Sequence, residues 1–415
     1  MKRAGVVTSP ISSSGGYNME LKPEIARRII ETLASAGTPP EYGFQYFTVG
    51  LDGYLSVIEK EYLESYIKNG GSSFKLIVGT YGSGKTHFLY CVRDLAWKHN
   101  YMTSYIVLSP TSTPFYKLEL VYKEIVSNLT YPQNPEALLS GYDRGIEAVI
   151  KTWYYQKYQE LAEKMSKEEV REELTTYASS LGPYESTSFK NAVKEAFISL
   201  VENRNDDFEH IIQWLKAEGH DRYHKKIGIL EKIDKSTAFR MLRSLAQWIG
   251  DICYSGFIVL LDEAEQTPSM SSKQKNILLN NLRELIDACG TSKLKNVMFF
   301  YAVPNESFLE GRTQIYEALR QRLATILEYT NPSGVKIDLE VMSIEPLEML
   351  REIGRKLAKI YEIAYNVSFN QQELEEKIDD VAKKAYEERH GEISYRRLFV
   401  QRIIAEFHKL RVGST

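Results

Sequence analysis

Residues Gly79-Thr80-Tyr81-Gly82-Ser83-Gly84-Lys85-Thr86 fit the pattern G-x-x-x-x-G-K-[ST] and constrain the fold more than any other stretch of the chain. An apolar run, Phe74-Lys75-Leu76-Ile77-Val78, precedes them and reads as a strand. His87-Phe88-Leu89-Tyr90-Cys91-Val92 follows and reads as a buried helix. Strand, glycine loop and helix in that order separate a true P-loop (Walker A) from a chance match. The glycines let successive backbone N–H groups curl around phosphate oxygens without Cβ clashes. The helix N-terminus adds a partial positive charge. Lys85 is expected to reach the β- and γ-phosphates of ATP, and the Thr86 hydroxyl to hold Mg²⁺. The phosphate-binding candidates are therefore Gly79, Thr80, Tyr81, Gly82, Ser83, Gly84, Lys85, Thr86 and the adjoining His87. The competing reading of the octapeptide is a strand–helix turn with no ligand.

A P-loop needs a carboxylate at the end of a second buried strand to help hold the metal. Gly256-Phe257-Ile258-Val259-Leu260-Leu261-Asp262-Glu263 supplies one. An unbroken apolar run reads as a strand covered on both faces. Asp262 is the metal candidate, and Glu263 the candidate base that polarises an attacking water. Adjacent carboxylates in this place favour hydrolysis over binding alone, and they suit water activation better than phosphate transfer to a small acceptor. Glu265 reads as a helix-start charge. A third apolar run, Asn296 to Val303, leads to Pro304-Asn305. Ligands of open parallel sheets sit beyond the strand carboxyl ends, so Asn305 is placed to meet the γ-phosphate or the water. A plain turn residue after proline is the alternative.

The chain has 415 residues, enough for two to four domains at ordinary domain size. Its 52 Lys and Arg against 55 Asp and Glu exclude a strongly basic protein, though a local patch can still bind nucleic acid. Three cysteines, Cys91, Cys253 and Cys289, form no disulfide framework and have no metal-ligand spacing. A reducing, cytoplasmic setting is the simple reading. The apolar runs are too short to span a bilayer, so no membrane contact is expected.

Along the chain, residues 1–18 are Ser/Gly-rich and read as a disordered tail. An amphipathic helix over 21–36 ends at Gly37-Thr38-Pro39-Pro40. Another helix is expected over Leu51 to Asn69, a strand over Thr103 to Ser109 and a helix over Pro114 to Asn128. The stretch before the 256–261 strand is far longer than a crossover needs and carries repeated helical periodicity. Residues 133–235 are read as a helical insertion whose aromatic stripes are core. Its link Gly219-His220-Asp221-Arg222-Tyr223-His224-Lys225-Lys226 reads as a solvated loop, with phosphate contact as the alternative. A helix over 313–324 carries Arg320 and Arg322, and 326–341 reads as a hairpin around Asn331-Pro332-Ser333-Gly334. The section after Pro346 is helical. Its last helix starts at Ser394, with Arg396 and Arg397 in the first turn. Arginine there opposes the helix dipole, which a nearby nucleotide or a surface carboxylate would explain.

This order of parts resembles an AAA+ ATPase of the initiator/STAND-like branch. Phe47-Thr48-Val49-Gly50-Leu51 resembles the box that cradles adenine there, making Val49 and Gly50 nucleotide candidates, with Leu51 in place of the usual arginine. The resemblance puts Asn305 at sensor 1, Arg320 or Arg322 at an arginine finger acting in trans, and Arg396 or Arg397 at sensor 2. More narrowly, the chain resembles the ATP-binding proteins of BREX phage-defence clusters, the BrxD-like family. The shared stretches are Ala26–Glu31 with Gly37–Pro40, Phe47–Leu51, Phe74–Leu89 and Leu260–Glu265. That resemblance implies a cytoplasmic ATPase in a multi-protein defence system, beside partners such as an Lhr-like helicase.

The expected fold is therefore α/β: a P-loop NTPase, AAA+-like parallel sheet core with a helical insertion and a C-terminal helical lid. The divisions are 1–18, tail; 19–132, core with P-loop; 133–235, insertion; 236–342, core with Walker B and sensor 1; and 343–415, lid. The expected function is Mg²⁺-dependent ATP hydrolysis driving a conformational switch or DNA-remodelling step, with double-stranded DNA and a homo-oligomer as further partners. The alternatives are an ATP-binding scaffold with negligible hydrolysis, and a helicase-loader or transposition-type ATPase.

Overall fold

The computed structural model describes residues 21–139, 141–264, 270–291, 293–306, 314–328, 330–341, 344–389 and 394–413. The tail over 1–18, Glu265 and the residues just before Ser394 lie outside them. The chain opens with α1 (Pro23–Ala36), which begins on a proline and ends at Gly37. The left-handed φ of +62° at Gly37 lets its N–H return to the Leu33 carbonyl. Next, α2 (Asp52–Val57) runs on into a π-helical stretch, Ile58–Tyr66, where the sequence predicts one regular helix.

The glycine loop joins β1 (Ser72–Val78) to α3 (Lys85–Lys98), and β2 (Tyr101–Val107), α4 (Leu118–Ser127) and β3 (Leu129–Thr130) follow. Then come α5 (Ile146–Ala162), α6 (Lys167–Ser180), α7 (Thr187–Val201), α8 (Asn205–Leu215) and the single turn α9 (Arg222–Lys226). The core resumes with α10 (Ala238–Asp251), β4 (Gly256–Asp262), α11 (Ser272–Gly290), β5 (Val297–Val303), α12 (Gln314–Leu323) and β6 (Lys336–Asp338). Last are α13 (Pro346–Tyr365), α14 (Gln371–Glu387) and α15 (Tyr395–Gly413).

The strands form a six-stranded sheet in the order β3-β2-β4-β5-β1-β6. All pairs are parallel except β2–β3. The fold is thus mixed α/β. The central strands β4 and β5 are almost unbroken apolar runs because both faces are covered. Alternate residues go to opposite faces: Phe257, Val259 and Leu261 join one core with α4, α5, α7, α10 and α11. Ile258 and Leu260 join the other, with α1, α3 and α13–α15. The helices α5 to α8 therefore share a hydrophobic core with one face of the sheet.

One local expectation is overturned. Residues 326–341 are not a hairpin: Ile326 bridges Lys336 in parallel, and Lys336–Asp338 pairs in parallel with Leu76–Val78 as the edge strand. The Asn331–Gly334 turn does form, but the chain passes through it to extend the sheet rather than fold back on itself. Register aligns the strand ends. Val78 pairs with Val303, and Val107 with Asp262, so the loops after β1, β2, β4 and β5 leave from one edge. Among the described residues no helix is long and apolar enough to cross a membrane.

Candidate functional site

That edge holds an open cleft of about 1150 Å³ counted to its mouth. Its polar end is lined by Tyr81 to His87 with Asp262 and Glu263, and its apolar end includes Leu33, Phe47, Val49, Leu51, Met349 and Val400. Arg396 and Arg397 stand over it from α15. Gly79, Thr80, Gly50, Asn305, Arg320 and Arg322 are not among the lining residues.

The two sequence-distant motifs meet here. The Thr86 hydroxyl donates to Asp262 Oδ2 at 2.6 Å. The Tyr105 hydroxyl donates to the same oxygen at 2.7 Å, and the Glu263 N–H donates to Oδ1 at 2.9 Å. Asp262 is buried, so this full set of donors offsets the cost of dehydrating a carboxylate. Burial, then the neighbouring Asp262 charge, push the Tyr105 hydroxyl far above its usual range, keeping it a donor. Sequence reasoning missed Tyr105; the only signal was its place on β2, beside β4 in the sheet. Glu263 is exposed and takes a left-handed φ of +52°, unusual for a residue with a Cβ.

Within the loop, Lys85 Nζ donates to the carbonyls of Gly79 at 2.7 Å and Thr80 at 3.0 Å. A Cβ at Gly79 would lie 2.3 Å from Ser83 Oγ and 3.0 Å from its Cβ, so any side chain there forces Ser83 to shift. The loop is also held from outside. Glu340 accepts from the Thr80 N–H at 3.0 Å and from its hydroxyl at 2.7 Å. The Arg396 guanidinium donates to the Ser83 carbonyl and, at 2.7 Å, to the Leu339 carbonyl. The Ser394 N–H donates to the Tyr81 carbonyl at 3.2 Å, and Arg397 lies 4.9 Å above the Tyr81 ring centroid. Neither Glu340 nor the carbonyl partners of Arg396 were foreseen.

His87 ties the segment before β1 to the first turn of α3. Its Nε2 lies 2.7 Å from Thr48 Oγ1, and Thr48 donates onward to the Phe44 carbonyl, so the imidazole is the donor. Phe44 and Phe47 pack edge-on against the ring. Burial lowers the His87 pKa to about 4.

The other candidates stand apart from the cleft lining. Asn305 is exposed, two residues beyond β5. Arg320 is exposed on α12, and Arg322 donates to Asp287 on α11 at 2.7 Å.

The cleft fits a magnesium-bound nucleotide. Ser83 Oγ is buried and has no hydrogen-bond partner among the described residues. The space a Cβ would need at Gly84 is open, at a φ of +101°. Thr86 and Asp262 present adjacent hard oxygen donors of the kind Mg²⁺ takes. A family model matches nearly the whole chain: BREX system ATP-binding protein BrxC/D, over residues 21–411. The chain belongs to the BrxC/D family. Membership carries ATP binding within a phage-defence system as the family's character. No curated protein and no solved structure matches this BrxC/D chain, so the assignment rests on the family model and on the residues of the cleft.

Proposed function

We propose that this BrxC/D protein is a Mg²⁺-dependent ATPase with an AAA+-type P-loop core, a helical insertion over 133–235 and a helical lid over 343–415. One observation carries the reading: Thr86, in the first turn of α3, and Asp262, at the end of β4, are hydrogen-bonded to each other beside the glycine loop. The apolar end of the cleft suits a base, and its polar end a triphosphate. Thr86 and Asp262 hold Mg²⁺, which when bound neutralises phosphate charge. Lys85 supplies a fixed positive charge from inside the loop. Glu263 accepts the proton of the attacking water. Asn305 orients that water, and Arg320 or Arg322 completes the site of a neighbouring copy in a homo-oligomer. The output is a conformational switch or DNA-remodelling step in the cytoplasm, made with other defence proteins such as an Lhr-like helicase.

The test is ATP turnover by wild type and Glu263→Gln, with and without Mg²⁺ and duplex DNA. Magnesium-dependent turnover that the variant loses while still binding ATP supports the reading. Stimulation by DNA assigns the remodelling role. Tight ATP binding with no turnover by wild type overturns it in favour of a regulatory scaffold.

A further inference from the structure

The segment from Arg222 to Lys235 lies far in sequence from the cleft and carries Arg222, Lys225, Lys226, Lys232 and Lys235. All five are exposed, and none has an ion-pair partner within 4 Å among the described residues. The acids of the same stretch are committed elsewhere. Asp221 caps α9 through the N–H groups of Tyr223 and His224. Glu231 accepts from Ser186 at 2.5 Å and pairs with Arg240 at 2.5 Å. Asp234 accepts from the Ser236 N–H and hydroxyl.

The backbone that carries these cations is pinned. Asn191 donates to the Gly228 carbonyl, Trp214 to the Glu231 carbonyl, and the N–H groups of Leu230 and Glu231 both reach Ser188 Oγ. Ile229 and Ile233 are buried. Between them Leu230 is 69% exposed, held outward by a fixed main chain. A main chain already pinned saves the backbone part of the ordering cost on binding.

We infer that this loop docks on the phosphate backbone of duplex DNA, Leu230 resting against the sugars between its flanking cations. Exposed cations with no carboxylate partner are the groups that contact phosphates without reading bases. Protein interfaces are instead depleted of lysine and enriched in arginine and aromatic side chains. Contacts of this kind read no sequence. The inference rests on the DNA part of the proposed function and names where the duplex docks; it shares no residue with the nucleotide cleft, so loss of ATP turnover and loss of loop binding are read separately.

The experiment is binding of two unrelated 30-base-pair duplexes to the full chain, by fluorescence anisotropy across a salt series. Arg222, Lys225 and Lys226 are changed together to Gln, and in a charge-matched control so are Lys60, Lys68 and Lys295. For three lost phosphate contacts, the slope of log K against log salt falls in magnitude by about 3. Affinity at ~0.1 M salt falls at least about tenfold for both duplexes. The control variant keeps wild-type affinity and slope. Leu230→Ser weakens binding without changing the slope, which separates apolar from charged contact. ATP binding by all variants reports an intact fold. The inference is overturned if wild type does not bind duplex DNA, if the loop variant binds as wild type does, or if the control loses as much. Capture of an acidic protein by the loop with no DNA affinity also overturns it.

Discussion

Thr86 and Asp262 are 176 residues apart in the chain and 2.6 Å apart in space. The bond exists because β1 and β4 end at one edge of the sheet with only β5 between them. Asp262→Asn keeps an acceptor for Thr86 and Tyr105 but removes the charge that draws a divalent cation. The variant should fold, bind ATP without metal as wild type does, and gain little affinity when Mg²⁺ is added. Nucleotide binding measured with Mg²⁺ and with chelator decides it. A full Mg²⁺ response in the variant removes Asp262 from the metal site.

Glu263 follows directly, exposed and with a left-handed backbone. Glu263→Gln preserves shape and backbone strain alike, so only basicity changes. Loss of a general base should slow turnover by about 10²- to 10⁴-fold. ATP affinity should stay within a few-fold of wild type. Single-turnover kinetics beside equilibrium binding provide the check, and normal turnover in the Gln variant would refute the assignment.

Tyr105 acts on the site through Asp262 and is a positioning residue. Tyr105→Phe deletes the 2.7 Å bond while leaving the ring that packs 5.2 Å from Tyr90. Removing a group that orients a metal-binding carboxylate typically costs ~10–100-fold in metal affinity. The expected result is a rise of that order in the Mg²⁺ concentration needed for half-maximal turnover, with ATP affinity in chelator unchanged. A loss of stability with no change in Mg²⁺ dependence would reduce Tyr105 to a packing residue.

The octapeptide and the β4 carboxylates were legible because a glycine loop between strand and helix has few other uses, and because doubly covered strands are unbroken apolar runs. Their juxtaposition depends on strand order, which no local pattern encodes. Tyr105 and Glu340 escaped for that reason: each acts across the sheet or from the next connection, with no motif of its own. Lys75 shows the same limit. It reads as a polar interruption in an apolar strand, yet it is buried, bonded to the Tyr62 hydroxyl at 2.6 Å and the Gly334 carbonyl at 2.5 Å. Only the parallel edge strand, read from sequence as a hairpin, creates that carbonyl's position. The π-helical turn likewise leaves no trace in an ordinary helical pattern.

His87 makes stability depend on pH. Its folded pKa is about 4, against about 6.5 for an unfolded imidazole. Below 6.5 the unfolded chain takes a proton that the folded chain refuses. The contribution is therefore fully present above pH 6.5 and is lost as pH falls toward 4. The loss is at most about 3 kcal/mol, reduced by the part of the ring that faces the cleft. His87→Gln cannot titrate, so the difference in unfolding free energy between the two proteins should narrow by up to that amount from pH 7 to 4.5. Denaturant melts across that range measure it. Parallel pH profiles for the two proteins would mean the ring stays solvated.

Arg396 and Arg397 are neighbours with different work. Arg396 already satisfies two backbone carbonyls, Ser83 in the glycine loop and Leu339 after β6. Arg396→Ala leaves these acceptors short of a donor, at ~1–3 kcal/mol. It should lower the thermal midpoint of the nucleotide-free protein and, by loosening the loop, weaken ATP binding as well. Arg397 instead lies over the exposed Tyr81 ring, a contact worth about 0.5–1 kcal/mol at such a site. Arg397→Ala should lower the nucleotide-free midpoint less than Arg396→Ala does and reduce the upward shift that ATP produces, on the reading that Arg397 is the sensor-2 arginine of the two. Thermal melts of both variants with and without ATP test the division. If Arg397→Ala destabilises the nucleotide-free protein as much as Arg396→Ala does, or responds fully to ATP, the two roles are not divided in this way.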